Sequence, residues 1–236
     1  MWASFSDPGV LVIGGAAISV SALSLYFSRV YLPAKMKRAY LKSIAVLAAA
    51  VETKDSGTLG HAQRVAEATK AVARVLGISG KELGQIEYAA LLRDIGKANV
   101  PNAVLNKSDP LTDEEWDIVK SHATLGAQMV GAVPFLADCA TLVLHHHEYW
   151  DGTGYPDGLA GEEIPLGSRI LAVTSDYDAM ISDRPYHHSE PLTPEEAMKV
   201  ITEGSGIKYD PVVTGVMVEV IAASLPAGAN SLISHL

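Results

Sequence analysis

The sequence predicts an all-α fold, on three observations. Apolar residues recur at helical spacing, as in Ile170, Val173, Tyr177 and Met180. Pairs with capping-box spacing, Ser79 with Glu82 and Thr112 with Glu115, stand where such patterns begin. No stretch alternates apolar and polar residues as a half-buried strand does.

The elements follow in chain order. From Pro8 to Ser28 no residue is charged, and about 20 apolar residues suffice to cross a bilayer. Arg29, Lys35, Lys37, Arg38 and Lys42 follow this run, which orients the rest of the chain towards the cytoplasm. A single-pass anchor in the inner membrane is therefore expected. A cleaved signal peptide is the alternative, though Met1 to Pro8 lacks the basic start that one needs. Gly15 and Ser19 are small enough for two such helices to pack as a homodimer.

Residues 34–51 read as a linker helix and 52–60 as a loop. His61 to Leu76 is helical and stops at Gly77. Ser79 opens a helix running to Asp94. Pro101 suits the first turn of a short helix. Thr112 starts a helix to about Gly131, Pro134 breaks the chain, and Phe135 to His146 reads as one apolar helix. A long loop carries Glu148 to Ser168; loops of that length in compact domains are usually functional. Arg169 to Ser182 is helical, Thr193-Pro194-Glu195-Glu196 caps another helix, and Asp210-Pro211 caps the last.

The 236 residues suffice for one medium core. A formal net charge of −9, with no basic stripe interleaved with aromatics, argues against binding long nucleic acid. A small phosphorylated ligand stays open, because a metal can supply positive charge. The one cysteine, Cys139, sits in an apolar run and reads as core.

The chemistry concentrates in His145-His146-His147-Glu148, where an apolar run meets a loop rich in Gly, Asp and Pro. Burying several imidazoles is costly unless something binds them. The plain alternative is a tag-like surface run. His61, Asp94, His122 and Asp176 lie on four other predicted helices, each amid apolar neighbours. Helical bundles build internal metal sites from ligands distributed in this way. Imidazole with carboxylate suits Fe, Mn, Zn or Ni better than Ca or Mg.

From about Val51 to Val218 the chain resembles the HD-GYP family of HD metal-dependent phosphohydrolases. The resemblance rests on His146-His147-Glu148, Asp151-Gly152-Thr153-Gly154-Tyr155-Pro156, Gly158-Leu159 and Ile164-Pro165-Leu166. Arg169-Ile170, Asp176-Tyr177-Asp178-Ala179-Met180, Arg184-Pro185-Tyr186 and Tyr209-Asp210-Pro211 follow in order. It implies an HD-type helical bundle over 52–224; the residues themselves place the membrane segment in 1–33 and a tail at 225–236. It also implies hydrolysis of cyclic di-GMP at a site for one or two divalent ions, Fe or Mn.

By this resemblance His61, Asp94 and Asp176 serve a first metal. Asp94, His122, His146 and His147 serve a second, with Asp94 bridging. Lys97 is expected at the scissile phosphate. Arg184 and the Gly154-Tyr155-Pro156 loop are expected in the ligand pocket. Metal coordination lowers the pKa of a bound water from 15.7 towards 7, which supplies a hydroxide nucleophile.

The naming His-Asp doublet is Arg93-Asp94 here. Arginine has no acceptor and cannot ligate a metal. A cation about 4 Å from a divalent ion costs several kcal/mol even at an effective dielectric near 20, which favours one metal over two. Arg93 either takes the first metal's place and binds phosphate as a fork, pairing with Asp94 or Asp176 when no ligand is present, or swings into solvent. The expected function is a membrane-anchored phosphodiesterase impaired by Arg93. The alternative is a degenerate cyclic di-GMP receptor or an adaptor for signalling proteins. A different phosphohydrolase substrate is the third reading.

Overall fold

The computed structural model describes residues 8–54, 60–182 and 190–224. The chain divides into two units, Met1–Ser43 and Ile44–Leu236. The first unit holds helix α1 (Pro8–Tyr26), a π turn at Phe27–Tyr31 and the start of α2 (Leu32–Glu52). The described apolar side chains of α1, among them Val12, Ile18, Val20 and Leu23, are exposed. Among the described residues no helix is long and apolar enough to cross a membrane. The spanning helix expected over 8–28 is not found there; the helix that forms gives way to the π turn after Tyr26.

The second unit is a helical bundle, and no strand occurs among its described residues. It contains α3 (His61–Val75), α4 (Gly80–Leu92), α5 (Asn102–Leu105) and α6 (Asp113–Gly131). It continues through α7 (Ala140–Leu144), α8 (Leu166–Ile181), α9 (Pro194–Glu203) and α10 (Pro211–Ser224). The core joins Val72 of α3, Ile86 of α4, Ile170, Val173 and Tyr177 of α8, Met198 and Ile201 of α9, and Val213 and Met217 of α10. The predicted stripe on α8 is thus its core-facing face.

Two helix starts carry the capping boxes their sequence signals predict. Thr112 Oγ1 accepts from the Glu115 N–H while the Glu115 carboxylate accepts from the Thr112 N–H, and Thr193 with Glu196 repeats the pattern. Ser79 stands before α4, but its side chain makes no cap hydrogen bond. The apolar helix expected from Phe135 to His146 is instead a 3₁₀ turn, Ala137–Cys139, and the short α7. The histidine run therefore lies in a turn beyond the helix end.

Buried polar contacts tie the bundle together beneath the site. Glu52 caps the start of α3, its carboxylate accepting from the N–H groups of Gly60 and Ala62. Lys54 Nζ donates to the carbonyls of Ala98 and Val100, both at 2.6 Å, and pins the segment after Asp94. Arg169 donates to Ile164 O and pairs with Asp210 at 2.6 Å, and Asp210 in turn caps α10. Arg169 and Asp210, part of the family-like pattern, are therefore framework residues.

Candidate metal centre

His122 comes from α6, and His146 and His147 from the turn after α7. Each of the three offers a ring nitrogen within 4.8 Å of the others. His122 and His146 are almost wholly buried, which rules out a tag-like surface run. Both Nδ1 atoms donate to the carbonyl three residues back, Val119 O for His122 and Val143 O for His146, at 2.6 Å each. A carbonyl only accepts, so the proton sits on Nδ1 and the Nε2 lone pair is free. Metal-binding histidines are commonly oriented in this way. His122 Nε2 is buried without a hydrogen-bond partner, as an atom reserved for a ligand would be.

Burial keeps all three rings neutral. It lowers His146 to about 3, with His122 adding to the effect, and it holds His147 well below the ordinary imidazole range. His122 is lowered by burial too, against the pull of Asp94. Neutral imidazole is the form that coordinates metal.

Asp94 follows α4 and faces this cluster. Its Oδ1 lies 3.7 Å from His122 Nε2 and 3.1 Å from Lys97 Nζ. Burial opposes its ionisation, but Lys97 and Arg93 hold its carboxyl well below the usual carboxylate range. Asp94, His122, His146 and His147 therefore form a donor set that fits one divalent transition metal. Such an ion would supply Lewis-acid polarisation of a phosphoryl oxygen and an acidified water.

The first expected site does not assemble. Arg93 is 1% exposed, so it does not swing into solvent. Its Nη1 donates to Ala90 O at 2.8 Å, its Nε donates to Ser175 Oγ at 3.1 Å, and its Nη2 lies 3.2 Å from Asp94 Oδ2. Asp176, expected as a ligand, faces elsewhere. Its Oδ2 pairs with Lys208 Nζ at 2.7 Å and accepts from Tyr209 OH at 2.9 Å. Arg93 therefore pairs with Asp94, and no Arg93–Asp176 pair forms. On a helix one residue is a rotation of about 100°, and the α8 residue that meets Arg93 is Ser175.

His61 opens α3 and points its Nδ1 at Asp178 Oδ2, 2.5 Å away. Arg64 holds the other oxygen of Asp178 at 2.8 Å. His61, Asp94 and Lys97 also border a cavity of about 20 Å³, with Glu52 on its wall. Only His61 and Asp94 of the three expected ligands converge there, beside Lys97. Sequence reasoning missed Ser175, Asp178, Glu52 and Lys54; the last two sit at a helix end, where only the fold shows what they reach.

The Gly154-Tyr155-Pro156 loop closes one side. The Tyr155 ring stacks on His147, with centroids 4.8 Å apart, and its N–H donates to His147 O. Gly154 has no room for a side chain: an added Cβ would stand 2.5 Å from the Glu148 Cα. Lys120 Nζ lies 5.9 Å from the Tyr155 ring centroid. Arg184 lies outside the described residues. A second group, His145, Glu148 and Asp157, gathers behind the loop, where Glu148 accepts from the Asp157 N–H at 2.8 Å.

The family model described as HD domain matches residues 45–213. The chain is 39% identical over 172 residues to the cyclic di-GMP phosphodiesterase response regulator RpfG of Xanthomonas campestris, covering 72% of this chain and 45% of that protein. It is 41% identical over 162 residues to a cyclic di-GMP phosphodiesterase of Thermotoga maritima, covering 68% of this chain and 44% of the relative. A 3'3'-cGAMP-specific phosphodiesterase of Vibrio cholerae is 36% identical over 195 residues, 82% of this chain and 42% of its own. The chain thus spans less than half the length of these relatives. Among solved structures, a cyclic GMP-AMP specific phosphodiesterase of Vibrio cholerae shares the fold with a TM-score of 0.60 at 21% identity, over 83% of this chain and 53% of its own. With the histidine cluster, Asp94 beside it and the Gly-Tyr-Pro loop in place, the chain belongs to the HD domain family, in its HD-GYP branch.

Proposed function

We propose that this chain is a metal-dependent phosphodiesterase module for cyclic dinucleotides, with cyclic di-GMP as its substrate. The observation that carries the reading is the cluster of three buried, neutral imidazoles, His122, His146 and His147, with the ionised carboxylate of Asp94 3.7 Å from His122 Nε2. Relatives named as phosphodiesterases of cyclic di-GMP and of 3'3'-cGAMP support the substrate class. Iron or manganese suits the donor set. Lys97 stands beside Asp94 and presents an ammonium to a phosphate approaching the metal. Tyr155, stacked on His147, offers an aromatic face towards the same approach.

The test is turnover of cyclic di-GMP by the full chain, loaded with manganese or with iron under anaerobic conditions. Linear dinucleotide product, lost in His146→Ala, is the expected result. Binding without any product would favour the second reading, a cyclic di-GMP receptor or signalling adaptor. The buried Arg93 guanidinium beside Asp94 is the observation on that side.

Membrane attachment through residues 8–28, at the inner membrane, is part of the proposal. The uncharged run, its exposed apolar side chains and the basic residues after it support the reading. Co-sedimentation of the full chain with the membrane fraction is expected; recovery in the supernatant would overturn it.

A further inference from the structure

The first metal position fails twice over in this chain, and the two failures touch each other. The residue before Asp94 is an arginine, and the α8 residue that meets its guanidinium is Ser175. Restoring the doublet histidine would still leave α8 without a carboxylate at this point, because Asp176 is held on another face by Lys208 and Tyr209.

Ser175 also explains how the guanidinium can lie there. Its hydroxyl is small and neutral, and it accepts from Arg93 Nε at 3.1 Å. The carbonyl of Ala90 takes Nη1. That leaves Nη2 buried, 3.2 Å from Asp94 Oδ2 and without a hydrogen bond. A buried N–H with spare donor capacity beside the bridging-type carboxylate is placed to receive an anionic oxygen. A phosphate has oxygens enough to meet both this donor and an ion on the histidine cluster.

We propose that Arg93 and Ser175 form a matched pair that puts a fixed guanidinium in place of the first metal. The chain then holds a single ion at Asp94, His122, His146 and His147, and Arg93 supplies the second positive charge to a bound phosphate. This rests on the metal reading of the histidine cluster given above. It further requires that the two residues change together: neither Arg93→His nor Ser175→Asp alone rebuilds a second site. The first variant lacks the α8 carboxylate, and in the second the new carboxylate pairs with the guanidinium.

The experiment is manganese loading of the full chain, read by electron paramagnetic resonance and by metal content. Two manganese ions bridged by Asp94 would be exchange-coupled, whereas an ion held alone gives the resolved hyperfine spectrum of isolated Mn(II). The natural chain, Arg93→His and Ser175→Asp are each expected to show only the isolated signal. The double variant Arg93→His with Ser175→Asp is expected to bind one more ion per chain and to show the coupled spectrum. A coupled spectrum in the natural chain, or in Arg93→His alone, would overturn the pairing and leave the phosphodiesterase reading intact. So would a well-folded double variant that gains no ion. If the double variant does not fold, the natural chain's spectrum still decides. No bound manganese in any form would overturn the cluster as a metal site, and the pairing with it.

Discussion

Gly96 is seated against the backbone of His122. A Cβ at position 96 would overlap the His122 carbonyl oxygen and stand 2.7 Å from the Gly126 N–H nitrogen. The absence of a side chain lets the turn after Asp94 lie directly on α6, and so brings the aspartate to the histidine. Gly96→Ala is expected to force the two segments apart. The cost is about 3 kcal/mol, the upper range for overpacking a tight interior contact. Urea unfolding would show it as a lower midpoint, and manganese affinity is expected to fall in the same variant.

Asp176 and Asp178 separate the two faces of α8. Asp178 is buried and joins His61 to Arg64, whereas the Asp176–Lys208 pair is about one-third exposed. Asp178→Asn breaks a buried charge network and is expected to cost about 3 kcal/mol. Asp176→Asn is expected to cost under about 1 kcal/mol and to leave the bound metal unchanged. Metal analysis of Asp176→Asn is the direct check, since loss of an ion there would restore this residue as a ligand.

The metal-free protein is expected to lose stability as acid is added from neutrality. In the fold, burial lowers His146 to about 3 from an ordinary value of 6.5, and it also lowers His61, His122 and His147. Below pH 6.5 the unfolded chain therefore binds protons that the folded chain refuses, and the unfolding free energy falls with falling pH. Thermal melts in chelator from pH 7.5 down to pH 5 should show a progressive drop in Tm. Replacing His146 with Gln should flatten the drop.

Divalent manganese is expected to raise Tm in the natural chain and not in His146→Ala, because an ion that binds only the folded state stabilises by mass action. At free metal about 100-fold above Kd the gain is about 2.7 kcal/mol. Differential scanning calorimetry with and without metal measures it. An equal rise in both proteins would place the ion elsewhere.

Tyr155→Ala is expected to weaken cyclic di-GMP binding by roughly tenfold to a hundredfold, the range of an aromatic stack on a base. Tyr155→Phe, which keeps the ring on His147, is expected to bind nearly as the natural chain does. Calorimetric titration of the metal-loaded forms separates the two. Equal affinity in all three proteins would remove Tyr155 from the pocket.

Much of this could be read along the chain where the governing interactions are local. Thr112 with Glu115 and Thr193 with Glu196 each close a capping box within four residues, so the sequence signal and the structural cause coincide. Ser79 carries the same spacing with Glu82, yet its side chain makes no cap hydrogen bond. The apolar run from Phe135 reads as helix by composition, but the chain leaves α7 after Leu144. His146 then turns its Nδ1 back to Val143. That turn orients the imidazoles, and its cause lies in the packing around them.

The sequence by itself determined the all-helical class, the family, and the set His122, His146, His147 and Asp94. Residue type, spacing and order along the chain carry those facts. It also showed that position 93 cannot ligate a metal. Only the tertiary structure decided where Arg93 goes and which residue of α8 it meets. Adjacent residues on a helix point about 100° apart, so a carboxylate at 176 and a hydroxyl at 175 face different neighbours. Which of them faces the centre depends on how α8 packs against α3, α9 and α10, through contacts that for α3 lie far apart in sequence.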